Sequence, residues 1–216
     1  MEKNLEYLQD KILECVFSCE NDFYLTGGTA LHKFYYNARY SDDLDFFVSN
    51  SNLFKEDIEQ VLEKFEENNL IYSIEIKSRD FWRIKVEDIK IDFVNDRVYR
   101  YGKSNLFGKF RIDNVINIFT NKITAIIGRD EEKDIFDIFC VAYNENFNWK
   151  EILEIVNKKQ FIEKDFLIYR LKTFPLIWLE NIKKIKNIPI TKKEINLMCE
   201  DIIFDRDNSL FGKFRC

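Results

Sequence analysis

An apolar run, a pair of glycines and a helical stretch meet at one point of this chain, and that junction constrains its fold more than any other feature. Phe23-Tyr24-Leu25 reads as a buried strand, Gly27-Gly28-Thr29 as a turn and Ala30 to Tyr36 as a helix, so the glycines stand at a strand-to-helix corner. Free backbone N–H groups at a helix start bind anions, which makes Gly27, Gly28 and Thr29 a candidate phosphate-holding turn. Shortly after it comes Arg39-Tyr40-Ser41-Asp42-Asp43-Leu44-Asp45-Phe46-Phe47. In an extended strand alternate side chains share a face, so Asp43 and Asp45 project together, roughly 6.6 Å apart along the backbone, with Leu44 directed to the core. Two ionised carboxylates this close repel, an arrangement tolerated where a cation sits between them. The pair predicts a divalent-metal site, with Mg²⁺ as the expected ion.

The rest of the chain supplies layers for such a corner. Residues 2–19 carry Leu5, Leu8, Ile12, Cys15, Val16 and Cys19 at helical spacing, and residues 53–69 carry Ile58, Val61, Leu62 and Phe65, which predicts two helices with one apolar face each. From 71 to 94 the pattern changes to alternation, giving strands at 71–76, 81–86 and 89–94. With 23–26 and 44–48 these make a small mixed sheet with helices against it, an α/β (α+β) layering. Residues 114–143 read as helical. At 100° per residue Lys122, Arg129 and Lys133 share a stripe with Asp137 beside it. That stripe suits a triphosphate facing a metal pocket, and equally an ion-paired helix surface among Asp130, Glu131, Glu132, Asp134 and Asp137. Residues 148–205 predict further helices at 151–156, 161–172, 176–186 and 192–203, broken by Pro175 and Pro189. The expected organisation is a core over 1–143 and a helical region over 144–216 packed on it, with no flexible linker between.

Composition excludes more than it selects. A single histidine, His32, leaves no room for multi-histidine metal sites and argues against Ser-His-Asp, Cys-His and His-Glu-x-x-His chemistry; His32 itself reads as a packing or surface residue. Cys15, Cys19, Cys140, Cys199 and Cys216 are odd in number and scattered, so reduced thiols are expected and not a disulfide framework or zinc ribbon. No run of eighteen apolar residues occurs, and Met1-Glu-Lys-Asn-Leu-Glu carries charges where a signal peptide is apolar. A cytoplasmic protein with no membrane partner is expected. The net charge of −5 argues against a broad nucleic-acid face but is compatible with a local basic patch. One such patch is 95–113, with Arg97, Tyr99, Arg100, Tyr101, Lys103, Lys109 and Arg111. It suits nucleotide or single-stranded nucleic-acid contact as well as it suits an ordinary exposed hairpin. Leu106-Phe-Gly-Lys-Phe-Arg111 recurs as Leu210-Phe-Gly-Lys-Phe-Arg215, and nothing in the sequence explains the repeat.

Taken together, Gly27-Gly28-Thr29, Arg39-x-Ser41 and Asp43-Leu44-Asp45-Phe46 resemble the nucleotidyltransferase signature of the DNA polymerase β-like superfamily, most closely its AbiEii toxin branch, found in abortive-infection and type IV toxin-antitoxin systems. Lys90-Ile91-Asp92-Phe93-Val94 is similar to the strand that carries the superfamily's third carboxylate. Lys122-Ile-Thr-Ala125-Ile-Ile-Gly-Arg129 and Lys133-Asp134-Ile-Phe-Asp137-Ile resemble its later helices. The resemblance covers about residues 20 to 143 and implies a Mg²⁺-dependent transfer of an NMP from an NTP to an acceptor hydroxyl, with pyrophosphate released. By the same resemblance Asp43, Asp45 and Asp92 are catalytic and hold metal. Gly27, Gly28, Thr29, Arg39, Ser41, Lys122, Arg129 and Asp137 are implied at the nucleotide, with Arg39 and Ser41 buttressing the turn. An RNA acceptor such as the 3′ end of tRNA and a cognate antitoxin are implied as partners. Transfer to a small molecule such as an antibiotic hydroxyl, and a non-catalytic nucleotidyltransferase-like module, are the alternatives; the intact set Asp43, Asp45 and Asp92 counts against the second.

Overall fold

The computed structural model describes residues 2–214; Cys216 and Arg215, the last residue of the repeat, lie outside them. Contacts divide the chain into two compact units. One comprises 1–30, 41–98 and 103–114, the other 31–40, 99–102 and 115–216.

The first unit is built on a seven-stranded mixed sheet of order β3-β4-β5-β2-β1-β7-β6. Its strands are β1 (Tyr24–Thr26), β2 (Leu44–Ser49), β3 (Tyr72–Lys77), β4 (Phe81–Val86), β5 (Ile89–Asp96), β6 (Asn105–Phe107) and β7 (Phe110–Ile112). β2 runs parallel to β5 and β1 parallel to β7, and the other neighbours are antiparallel. Period-2 alternation sorts the side chains by face. Leu44, Phe46 and Val48 of β2 stand level with Ile91, Phe93 and Asn95 of β5, all buried. Phe46 stacks on Phe93 at 5.3 Å between ring centroids, and Phe23 meets Phe93 edge-on at 5.0 Å. A short helix, α2 (Gly27–Leu31), follows β1. Helices α1 (Glu2–Ser18) and α3 (Phe54–Glu67) pack on one another. α3 buries the stripe read from its spacing, and α1 buries Leu8, Ile12, Cys15 and Val16 of its own together with Leu13 and Phe17, leaving Leu5, and Cys19 just beyond the helix, half-buried. The segment 95–113 contains an exposed hairpin, β6–β7, at the sheet edge, turned by Gly108 at φ 62.

The second unit is helical: α4 (Val115–Gly128), α5 (Glu132–Asn144), α6 (Trp149–Lys159), α7 (Lys164–Thr173), a 3₁₀ helix (Leu176–Asn181) and α8 (Lys192–Ile203). Phe119, Phe147 and Trp149 form one aromatic cluster in its core. The Asn148 side chain accepts from Lys150 N and starts α6 at 149, earlier than the apolar spacing suggests. The helix expected over 176–186 is instead a six-residue 3₁₀ helix followed by non-helical chain. β-branched Ile182, Ile185 and Ile188 and the stop at Pro189 weaken helix there. Backbone pairing with 38–40 takes over, Tyr40 N donating to Lys183 O at 3.0 Å and Ile185 N to Ala38 O at 2.9 Å. Cys15, Cys19, Cys140 and Cys199 are free thiols, and burial pushes Cys199 up to about 11. No helix among the described residues is long and apolar enough to cross a membrane.

Candidate active site

The parallel register of β2 on β5 sets Asp45 beside Asp92. β5 in turn pairs Asp92 with Arg83 of β4, and β1 pairs Thr26 with Asp45. Thr26, Asp45, Asp92 and Arg83 therefore form a row across four strands, on the face opposite Phe46 and Phe93. Asp43, just before β2, completes the acidic set.

Each carboxylate already faces a defined neighbour. Arg83 holds Asp92 with two parallel bonds, Nε to Oδ1 at 2.7 Å and Nη2 to Oδ2 at 2.9 Å, the fork geometry that favours guanidinium over ammonium. Lys90 Nζ reaches Asp43 Oδ2 at 2.9 Å. Each partner keeps its cation charged: Asp92 raises Arg83 chiefly through the hydrogen bonds, and Asp43 lifts Lys90 against the lowering effect of its burial. Asp45 lies against the glycine corner. Gly27 sits at φ 72, and a Cβ there would meet Asp45 Oδ2, so an added side chain would strain the backbone and displace the Asp45 carboxylate. Thr29 is buried and its hydroxyl donates to Asp43 O, tying the start of the helix to the strand entry. Ser41 stands in that entry, its carbonyl accepting from Gln9 Nε2 at 2.7 Å.

Arg39, Lys122, Arg129 and Asp137 come together in the second unit as one ion-paired cluster. Asp137 is fully enclosed and accepts from Arg39 Nε and Nη2 and from His32 Nε2, each at 2.7 Å, with Lys122 Nζ at 2.9 Å. Lys122 also reaches Asp134 at 2.7 Å, and Arg129 donates to the other Asp134 oxygen at 2.7 Å. Burial alone would raise the Asp137 carboxyl, but Arg39, Lys122 and His32 hold it well below the usual carboxylate range. Burial lowers His32 despite Asp137 beside it. The ring is thus neutral, with Nε2–H donating to Asp137 and Nδ1 accepting from Ala38 N at 3.4 Å.

Four of these residues had no expected place at the site. Arg83 was recoverable: a two-residue turn at 87–88 pairs Val86 with Ile89 and, counting outward, Arg83 with Asp92. Lys90 and Asp134 stood inside quoted motifs without a role. His32 carried no local signal, its partner lying 105 residues away.

The donor set, three carboxylates, suits a hard divalent cation, which takes oxygen ligands. Among the described residues no three Asp, Glu, His or Cys side chains converge on one point where a metal ion would sit, Asp43 and Asp92 being turned to Lys90 and Arg83.

A glycine corner feeding an acidic pair on a mixed sheet, with a further carboxylate on the adjacent parallel strand, defines a nucleotidyltransferase core. The same fold is seen in JHP933 from Helicobacter pylori, 22% identical over 80% of this chain and 73% of that one, with a TM-score of 0.50. It is seen again in the antibiotic-resistance factor ANT(2'')-Ia, 13% identical over 73% of this chain and 91% of that one, at 0.52. An uncharacterized protein of Aquifex aeolicus (strain VF5) is 32% identical over 166 residues, 73% of this chain and 76% of its own length. Residues 11–213 match the family described as Nucleotidyl transferase AbiEii toxin, Type IV TA system. The chain belongs to that family, and it is a nucleotidyltransferase.

Proposed function

We propose that this protein moves an NMP from an NTP to an acceptor hydroxyl, expelling pyrophosphate, with Asp43, Asp45 and Asp92 holding Mg²⁺. The observation that carries the reading is the register that sets Asp45 beside Asp92 on one sheet face. When bound, the cation neutralises phosphate charge and favours a nucleophilic oxygen. The chain's own residues do the rest. Backbone N–H groups of Gly28 and Thr29 hold phosphate oxygens at the corner, and Gly27 keeps that corner close to Asp45. Asp92 takes the proton of the acceptor hydroxyl; for this Arg83 must release it, as Lys90 must release Asp43. Ser41 and Arg39 buttress the turn. Lys122 and the half-exposed Arg129 offset phosphate charge, with Asp137 fixing Arg39 and Lys122. Residues 1–143 form the catalytic module and 144–216 the helical region. RNA, such as the 3′ end of tRNA, is the acceptor, an antitoxin restrains the activity, and both meet the protein in the cytoplasm.

The test is incubation with Mg²⁺, each labelled NTP in turn and total RNA, beside an Asp43→Ala/Asp45→Ala double variant. Label on RNA with the native protein alone supports the reading. Equal labelling by the double variant sinks it, and label passing only to small hydroxylated compounds replaces RNA with a small-molecule acceptor.

A further inference from the structure

The positive charge of this acidic protein is concentrated in one place. Residues 158–193 contain ten Lys and Arg against three Asp and Glu, Glu163, Asp165 and Glu180, a net of +7, although the whole chain carries −5. Several of these cations have internal work. Lys164 pairs with Asp205, Arg170 with Asp130, and Lys159 bonds Asn117 and Asn121. Lys172 and Lys192 are exposed and make no salt bridge among the described residues.

These two lysines line one cavity, of about 470 Å³, together with Phe174, Pro175, Ile195 and Asn196. Phe174 and Ile195 are buried walls, so the cavity is apolar with cations and a side-chain amide at hand. Its volume lies in the range of small-ligand pockets, about 300–1,000 Å³. Exposed rings stand nearby in the chain. Phe166 and Tyr169, three residues apart on α7, share a helix face with Lys172 one turn further on. Their rings stack at 6.3 Å and 12° and are 45% and 58% exposed. Trp178, 41% exposed, stands edge-on to Phe174 at 6.0 Å.

Flat exposed rings alternating with unpaired cations bind single-stranded nucleic acid, in which bases stack on the rings and phosphates meet the lysines. A duplex keeps its bases stacked on each other and offers these rings nothing. We propose that the α7–α8 surface is a docking site for single-stranded RNA, with one nucleotide seated between Lys172 and Lys192 against Phe174. The site shares no residue with the carboxylate set, and it depends on the proposed acceptor only for the choice of RNA as the polymer.

The experiment is fluorescence anisotropy of a labelled single-stranded RNA oligomer over a range of salt, with four proteins: native, Lys172→Ala/Lys192→Ala, Phe166→Ala/Tyr169→Ala and Asp43→Ala/Asp45→Ala. Each phosphate contact on a single strand contributes about 0.7 to the slope of log K against log salt. The lysine variant should lose about 1.4 of slope and bind about 25-fold more weakly at 0.1 M salt. The ring variant should bind at least about fivefold more weakly with its slope unchanged. The aspartate variant should bind as the native protein does, so loss of nucleotidyl transfer with RNA binding intact separates the two proposals. Native slope and affinity in the lysine variant, with its melting temperature unaltered, would overturn the inference, as would equal affinity for duplex RNA.

Discussion

Gly27 shows how little tolerance the site has at the level of one atom. A methyl group there meets Asp45 Oδ2 and forces an L-residue into φ 72, a conformation that costs about 1–2 kcal/mol. Gly27→Ala is expected to lower stability by about that amount and, by displacing Asp45, to lower transfer about 100-fold, since misplacement near 1 Å has effects of that order; denaturant unfolding and a labelled-NTP assay read the two separately. The glycine pair was legible because its neighbours in sequence declare a corner. What a side chain at the first glycine would displace was not, because Asp45 reaches it only through the β1–β2 register. Asp137 is the opposite case, a residue whose motif was visible and whose surroundings were not. With Arg39, Lys122 and His32 all directed at it, Asp137→Asn leaves two buried cations short of their counter-charge. The expected loss is about 3–5 kcal/mol, seen as a lowered urea midpoint.

At the level of elements, the β4–β5 hairpin couples two functions in one register. It links β3 to β2 within the sheet and delivers Arg83 onto Asp92. If that guanidinium occupies the carboxylate until a cation arrives, Arg83→Gln should bind Mn²⁺ more tightly than the native protein, by roughly tenfold for each 1.4 kcal/mol of ion pairing removed. Calorimetric titration of Mn²⁺ without nucleotide checks it, and an unchanged or weaker affinity would show that Arg83 serves the site in another way. Strand and helix positions were mostly readable, since alternation and 3.6-residue spacing are direct records of burial. The 182–190 segment was not, because its non-helical form is imposed by backbone groups at 38–40, remote in sequence. The clustering of charge over 158–193 was present in the sequence all along, but helix α7 had to be seen before its lysine and its rings fell on one face.

For the molecule as a whole, one histidine sets the mild-acid end of the stability curve. His32 is the only histidine, and burial lowers it from its ordinary 6.5. Below that value the unfolded chain takes up a proton that the folded chain does not. Stability therefore falls as pH drops through 6.5, by at most about 1.4 kcal/mol per unit, until the folded ring itself titrates. Asp137 acts lower. Its folded carboxyl lies well below 3.8, so its contribution is complete above the unfolded value and is lost only in stronger acid. Unfolding free energies at about pH 7 and 5.5 should differ in the native protein and converge in His32→Gln, whose amide keeps a donor for Asp137. The two units, finally, are not consecutive lengths of chain. The polypeptide passes between them after residues 30, 40, 98, 102 and 114, so no single scission separates the two. A protease nick, a frameshift or a fusion joint at any one of these crossings strands part of one unit on the far side of the cut. The pair must therefore be inherited, expressed and lost together.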